Sequence, residues 1–122
     1  MVLKTKFCVV DIDALAGVRN EANSLSFIFK SGWAEKNRYN VADERDEDFG
    51  LISESMRKNG GVVIKDMVIM PGELAAVGMN EAGSLFPVFL SGARHEMKYV
   101  SEEECAADYI KLEAGMCGLK AV

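Results

Sequence analysis

The sequence predicts an α+β fold made by tandem duplication. A unit of about 60 residues, antiparallel strands followed by one C-terminal helix, occurs twice. The two helices are expected to pack on antiparallel sheet around a pseudo-two-fold axis. The first observation behind this is a repeat. NEANSLSFIFKSGWAEKNRY (residues 20–39) and NEAGSLFPVFLSGARHEMKY (80–99) share nine identities at a constant offset of 60, where ordinary composition gives about one or two in twenty positions. The second is strict alternation in one strand, with Leu25, Phe27 and Phe29 against Ser24, Ser26 and Lys30. The third is a helical stripe, Cys105, Tyr109, Leu112 and Met116, at i, i+4, i+7 and i+11.

Taken in chain order, each copy begins with an extended apolar segment, Val2 to Ile12 and Val62 to Met70. VLKTKFCVVD lies over VVIKDMVIMP without a gap, alike in apolar placement. Leu15–Val18 and Leu74–Val77 follow as a second strand or a helical turn. The NEA(N/G) quartet suits a type I turn whose last residue takes positive φ. The alternating strand comes next, and Ser-Gly then turns the chain into a final strand ending at Tyr39–Val41 or Tyr99–Val100. Beyond it the match slips by one residue, Val41 onto Val100. Ser101 with Glu104 forms a capping box at the start of the second helix. The first helix begins at Ala42 or Asp43, buries Phe49, Ile52 and Met56, and stops at Asn59-Gly60-Gly61.

The chain therefore reads as one domain, 1–122, of two repeats, 1–60 and 61–122, hinged at Gly60-Gly61. One copy alone would be marginal at this size, and two that share a buried face would not. In the second copy Leu85, Phe86, Val88, Phe89 and Leu90 are apolar on both faces of the strand, which predicts cover on both sides. Pro87 lacks an amide donor and is expected at a sheet edge or a bulge.

Composition narrows the function classes. Apolar residues make up 49% of the 122 and charged residues 27%, which suits a packed core and excludes disorder. The net charge is −5, and neither half is basic: nine basic against ten acidic residues in the first, five against nine in the second. That balance argues against nucleic acid and anionic membrane as partners. No apolar run reaches the length of a membrane span, and Asp11 and Asp13 interrupt any N-terminal signal. Three cysteines are odd in number and too few for a disulfide framework, so a cytoplasmic location is expected.

No catalytic constellation stands out. The acidic run Asp43, Glu44, Asp46, Glu47, Asp48 lacks the spacing of a calcium loop and suits the positive end of a helix dipole, as Glu102, Glu103 and Glu104 do in the other copy. Asp11 and Asp13 have no phosphate-binding glycine loop to serve and read as a solvated turn. His95, the single histidine, has no nucleophile motif near it. Cys8 and Cys105 sit on apolar faces, where buried thiols are inert, and no C-x-x-C pair offers a zinc site. No catalytic residue, metal or cofactor is expected.

The leading expectation is a non-enzymatic interaction or ligand-binding module that self-associates. A homodimer is expected through Leu85, Phe86, Val88 and Leu90, with an unidentified protein or small molecule as further partner, and no nucleic acid or membrane. The alternatives are an anionic-metabolite site at the seam between repeats, lined by Trp33, Arg38, Tyr39, Lys98 and Tyr99, where paired cations and aromatic rings would meet, and a weak enzyme using His95.

Overall fold

The computed structural model describes residues 1–120. The chain divides into two compact units, Met1–Met70 and Pro71–Val122, and the model is α+β, two helices packed on antiparallel sheets.

In the first unit, β1 (Val2–Lys4) and β2 (Val9–Asp11) form a two-stranded ribbon. The expected single extended segment is thus a hairpin. Its bend falls at the polar Lys-Thr-Lys stretch, where the Thr5 amide donates to the Cys8 carbonyl at 2.8 Å. A 3₁₀ turn (Ile12–Ala14) leads into β3 (Leu15–Asn20), β4 (Ser24–Phe29) and β5 (Ala34–Arg38). Helix α1 (Ala42–Lys58) follows, and then a second hairpin, β6 (Val62–Ile64) and β7 (Met67–Ile69). The five-stranded order is β5-β4-β3-β7-β6. The unit boundary falls at Met70 and not at Gly60-Gly61, because β7 pairs with β3. Val68 enters the core with Leu15, Val18, Leu25, Phe27, Ile52 and Met56, all of them apolar side chains whose burial stabilises by about 1.5–3 kcal/mol each.

The helix-free face of this sheet departs from expectation. Ser24 and Ser26 are buried. Ser26 lies between Arg19 and Lys36, and Ser24 lies opposite Arg38. Ile28, Ile64, Met67 and Ile69 share this face and are buried with the two serines. The Ser24 hydroxyl donates to Glu21 Oε2 at 3.2 Å.

The second unit repeats the order: a 3₁₀ turn (Pro71–Glu73), β8 (Leu74–Met79), β9 (Ser84–Phe89), β10 (Met97–Lys98) and α2 (Glu102–Lys120). Its sheet runs β10-β9-β8. Leu74, Leu85, Phe89, Met97, Cys105 and Leu112 are its buried apolar side chains. Pro87 is in the middle strand, not at an edge. The His95 amide donates to the Pro87 carbonyl at 3.2 Å, so the main chain of Pro87 faces β10, on the side where it has no N–H to give. There the ladder breaks, and β10 keeps two residues where β5 has five. The other face of β9 is only half covered at Phe86 and Val88.

The internal match is in register where the sequence suggested a slip, and slips where it suggested none. α1 starts at Ala42 and α2 at Glu102, an offset of 60. β3 and β8 are offset by 59, and β2 and β7 by 58. The main-chain turns are duplicated atom for atom: Phe29 to Trp33 and Phe89 to Ala93, both at 2.9 Å, with Gly32 and Gly92 at φ 96°. In the quartet turns, Gly83 takes φ 83° and Asn23 does not take positive φ.

Candidate functional site

A buried tyrosine–aspartate clamp occurs once in each unit. The Tyr39 hydroxyl donates to Asp48 Oδ2 at 2.6 Å, and the Tyr99 hydroxyl donates to Asp108 Oδ2 at 2.7 Å. Both aspartates are buried. Burial, reinforced by the adjoining Asp48 carboxylate, pushes the Tyr39 phenol far above its usual range. Asp48 also accepts the Lys6 amide at 3.0 Å, and Phe7 packs edge-on to Tyr39 with ring centroids 4.9 Å apart. The clamp ties strand, helix and N-terminal ribbon together.

The acidic run does more than start a helix. Asp48 anchors Tyr39, Glu44 pairs with Lys6, and Asp46 accepts Asn20 Nδ2 at 3.0 Å. Hydrogen bonds from Asn20 and Arg45 hold the Asp46 carboxyl below its usual range. Arg45 also donates to the Ala22 carbonyl. At the counterpart of Arg45 the second unit has Cys105, and there an open cleft of about 650 Å³ lies between the end of β8 and the start of α2, with Glu81 and Glu102 on its wall.

The residues singled out from the sequence separate by environment. Tyr39 is buried, and Tyr99 is half-buried with its hydroxyl on Asp108. Trp33 is 65% exposed at the β4–β5 turn, with its indole N–H on Glu35 at 3.2 Å. Arg38 and Lys98 are both exposed. Each stands at the end of the strand that precedes its unit's helix, opposite a serine: Arg38 opposite Ser24 and Lys98 opposite Ser84. Arg38 has no ion-pair partner among the described residues, whereas Lys36 pairs with Glu21 at 3.1 Å. Of the expected self-association residues, Leu85 is wholly buried in its own unit, Phe86 and Val88 are half-buried, and Leu90 is 60% exposed.

Register adds a pattern that the sequence did not show. Arg19, Lys36 and Arg38 share the helix-free face of the first sheet, and Arg94 and Lys98 share that of the second. Glu96 stands between Arg94 and Lys98 in the same row and accepts the Ser84 hydroxyl at 3.1 Å, but most of the acids are on the helices. Eleven of the nineteen lie on α1 and α2 with five of the fourteen bases, so the rest of the chain carries nine basic and eight acidic residues.

Other chemistry is sparse. His95 is half-buried, with Phe89 edge-on at 6.1 Å between centroids. Cys105 is buried, and that burial, with Asp108 nearby, raises its thiol pKa. Among the described residues no group of three His, Cys, Asp or Glu side chains could hold a metal ion, and no helix is long and apolar enough to cross a membrane.

No protein-family model matches the chain, and no curated protein matches it in sequence. A solved structure does match in fold: the LytTr DNA-binding domain of a Bacillus cereus protein described as a methyl-accepting/DNA response regulator. The TM-score is 0.56 at 13% identity, over 93% of this chain and 94% of that one. The likeness is one of fold. It corrects the expectation of an interaction module with no nucleic-acid partner, because the structure this chain resembles is a DNA-binding domain. The charge argument failed because a total of −5 sums over helices that hold most of the acid. Other exposed cations, Lys36, Arg38, Arg94 and Lys98 among them, stand off the helices.

Proposed function

We propose that the chain is a non-enzymatic, cytoplasmic DNA-binding domain. The observation that carries the reading is the likeness, along nearly the whole chain, to a LytTr DNA-binding domain. The segregation of charge supports it. DNA binding needs cations that can reach phosphate, and a short row of them suffices where acidic residues are held elsewhere. Arg38 and Lys98 are the residues assigned to phosphate, each beside a serine at the end of the strand that precedes its unit's helix. Trp33 and Lys30, exposed at the β4–β5 turn, extend the surface of the first unit, and Arg94 that of the second.

The test is fluorescence anisotropy of labelled random-sequence duplex DNA at stepped salt concentrations, followed by selection of bound sequences. Binding is expected at about 50 mM salt, weakening steeply as salt rises. Arg38→Ala and Lys98→Ala should each weaken binding across all sequences and reduce the slope of log affinity against log salt by about 1. No binding to any duplex at that salt sinks the reading. Unchanged slopes in both variants sink the assignment of these residues.

A further inference from the structure

The outer edge of β3 is closed by a hairpin. The Asn20 amide donates to the Asp66 carbonyl at 2.7 Å, the Met70 amide donates to the Ala16 carbonyl at 2.9 Å, and Val18 stands opposite Val68 between them. β8 is the counterpart of β3, LAAVGM against LAGVRN. Its outer edge is open: among the described residues no strand pairs with it. Which groups it offers follows from the ladder. Pro87 turns its main chain towards β10, so its cross-strand neighbour Val77 turns its own N–H and C=O away from β9. Met79 does the same by alternation, and Ala75, at the register shift between Leu74 and Ala76, does so by its likeness to Ala16, whose carbonyl accepts the Met70 amide. These are the counterparts of Ala16, Val18 and Asn20, the three that bind the β7 hairpin. Ala75 is exposed and Met79 is 50% exposed. No charge or proline blunts this edge, the usual protection of a free one.

We infer that the outer edge of β8 is a docking site for an extended segment of another protein, which adds antiparallel to Ala75, Val77 and Met79 as β7 adds to β3. The segment's chemistry follows from two features. The sister slot holds Met67, Val68 and Ile69, so three consecutive apolar residues, β-branched at the centre, match the edge. At the Met79 end lies the cleft with Glu81 and Glu102, where the counterpart of Arg45 is Cys105 and, among the described residues, no cation lines the wall. An antiparallel arrival brings the segment's N-terminal side here, so a Lys or Arg preceding the apolar triplet meets the two carboxylates. This chain's own β2 is a poor fit: it ends in Asp11, and Val10 is committed to the core of the first unit.

The probe is a capped peptide of residues 61–71 with Asp66 replaced by Asn, so that Lys65 precedes the β7 triplet with no carboxylate between them, titrated into the whole protein and followed by amide hydrogen exchange. Saturable binding should slow exchange at Val77 and Met79 by about tenfold or more. Val77→Pro removes an outward-facing amide and spares the β8–β9 ladder, so it should abolish the protection. Met79→Lys should do the same if the proline variant fails to fold. Glu102→Gln should weaken binding. Three results overturn the inference: no protection at Val77 and Met79, protection confined to residues 16–20, or protection that appears without peptide and grows with protein concentration. The last would make the occupant a second copy.

Discussion

Tyr39 gives its hydroxyl proton to a carboxylate that is itself buried, and that pairing sets its energetics. A hydrogen bond to a charged group is worth about 1.5–3 kcal/mol, and Tyr39→Phe also leaves Asp48 with only the Lys6 amide of the contacts described. The expected loss of stability is therefore about 2 kcal/mol, read as a lower urea midpoint. Tyr99→Phe should cost less, because Tyr99 is only half-buried. The sign with pH is fixed by the direction of the shift. The folded phenol titrates above the unfolded one, so the contribution is constant below about pH 10, the ordinary tyrosine value. It is lost as pH rises from there through the folded pKa. Unfolding midpoints measured from pH 9 to 11 should fall in the native protein and fall less steeply in Tyr39→Phe. At the same scale, Cys105 is buried with a raised pKa while Cys117 is exposed. Alkylation at pH 8 with peptide mapping should modify Cys117 first and leave Cys105 untouched until the protein unfolds.

Helix α1 shows how much an element depends on its last two residues. The Gly60 amide donates to the Arg57 carbonyl at 3.1 Å and the Gly61 amide to the Met56 carbonyl at 2.8 Å, the paired bonds that close a helix through a left-handed residue. Gly60 supplies that conformation at φ 94°, so Gly60→Ala should cost about 1–2 kcal/mol. At Gly61 the obstacle is space: an added Cβ would lie 2.8 Å from the Met56 carbonyl oxygen, which is main chain and has no room to yield. Gly61→Ala should cost more, and thermal melts of the two variants compare them directly. Both glycines were legible as a stop signal because their requirement is local. So were the alternating strand, the capping serine, whose hydroxyl accepts the Glu103 amide at 3.1 Å, and the α2 stripe. Partners distant in sequence were not. Nothing near Asp48 or Asp108 marks it as a buried acceptor for a tyrosine nine residues earlier, although an identical pair at an offset of 60 was available to find. Pro87 was misplaced for the same reason: its neighbours across the sheet decide whether a missing donor matters, and those lie elsewhere in the chain.

At the scale of the whole chain, the repeat and the folding unit are different objects. The repeat divides at Gly60-Gly61, but β6 and β7 belong to the second copy by sequence and to the first sheet by hydrogen bonding. A duplication is visible in sequence because it preserves residue types at a fixed spacing. Strand exchange between copies leaves that spacing intact, so it could not be read from the repeat. The candidate DNA surface was hidden in the same way, since which side chains share a face depends on register across strands. The boundary makes a direct prediction. A fragment of residues 1–60 lacks Ile64, Met67, Val68 and Ile69, all fully buried or nearly so, and leaves the edge of β3 unpaired. At about 25 cal/mol per Å² of apolar surface such a loss is several kcal/mol, comparable to the entire stability of a small domain. Residues 1–70 keep the five strands. Circular dichroism during thermal unfolding should show a cooperative transition for 1–70, whereas 1–60 should unfold without one or precipitate through its open edge. Equal transitions in the two fragments would mean that β6 and β7 contribute little to the first unit, and that the division at Gly60-Gly61 describes folding as well as descent.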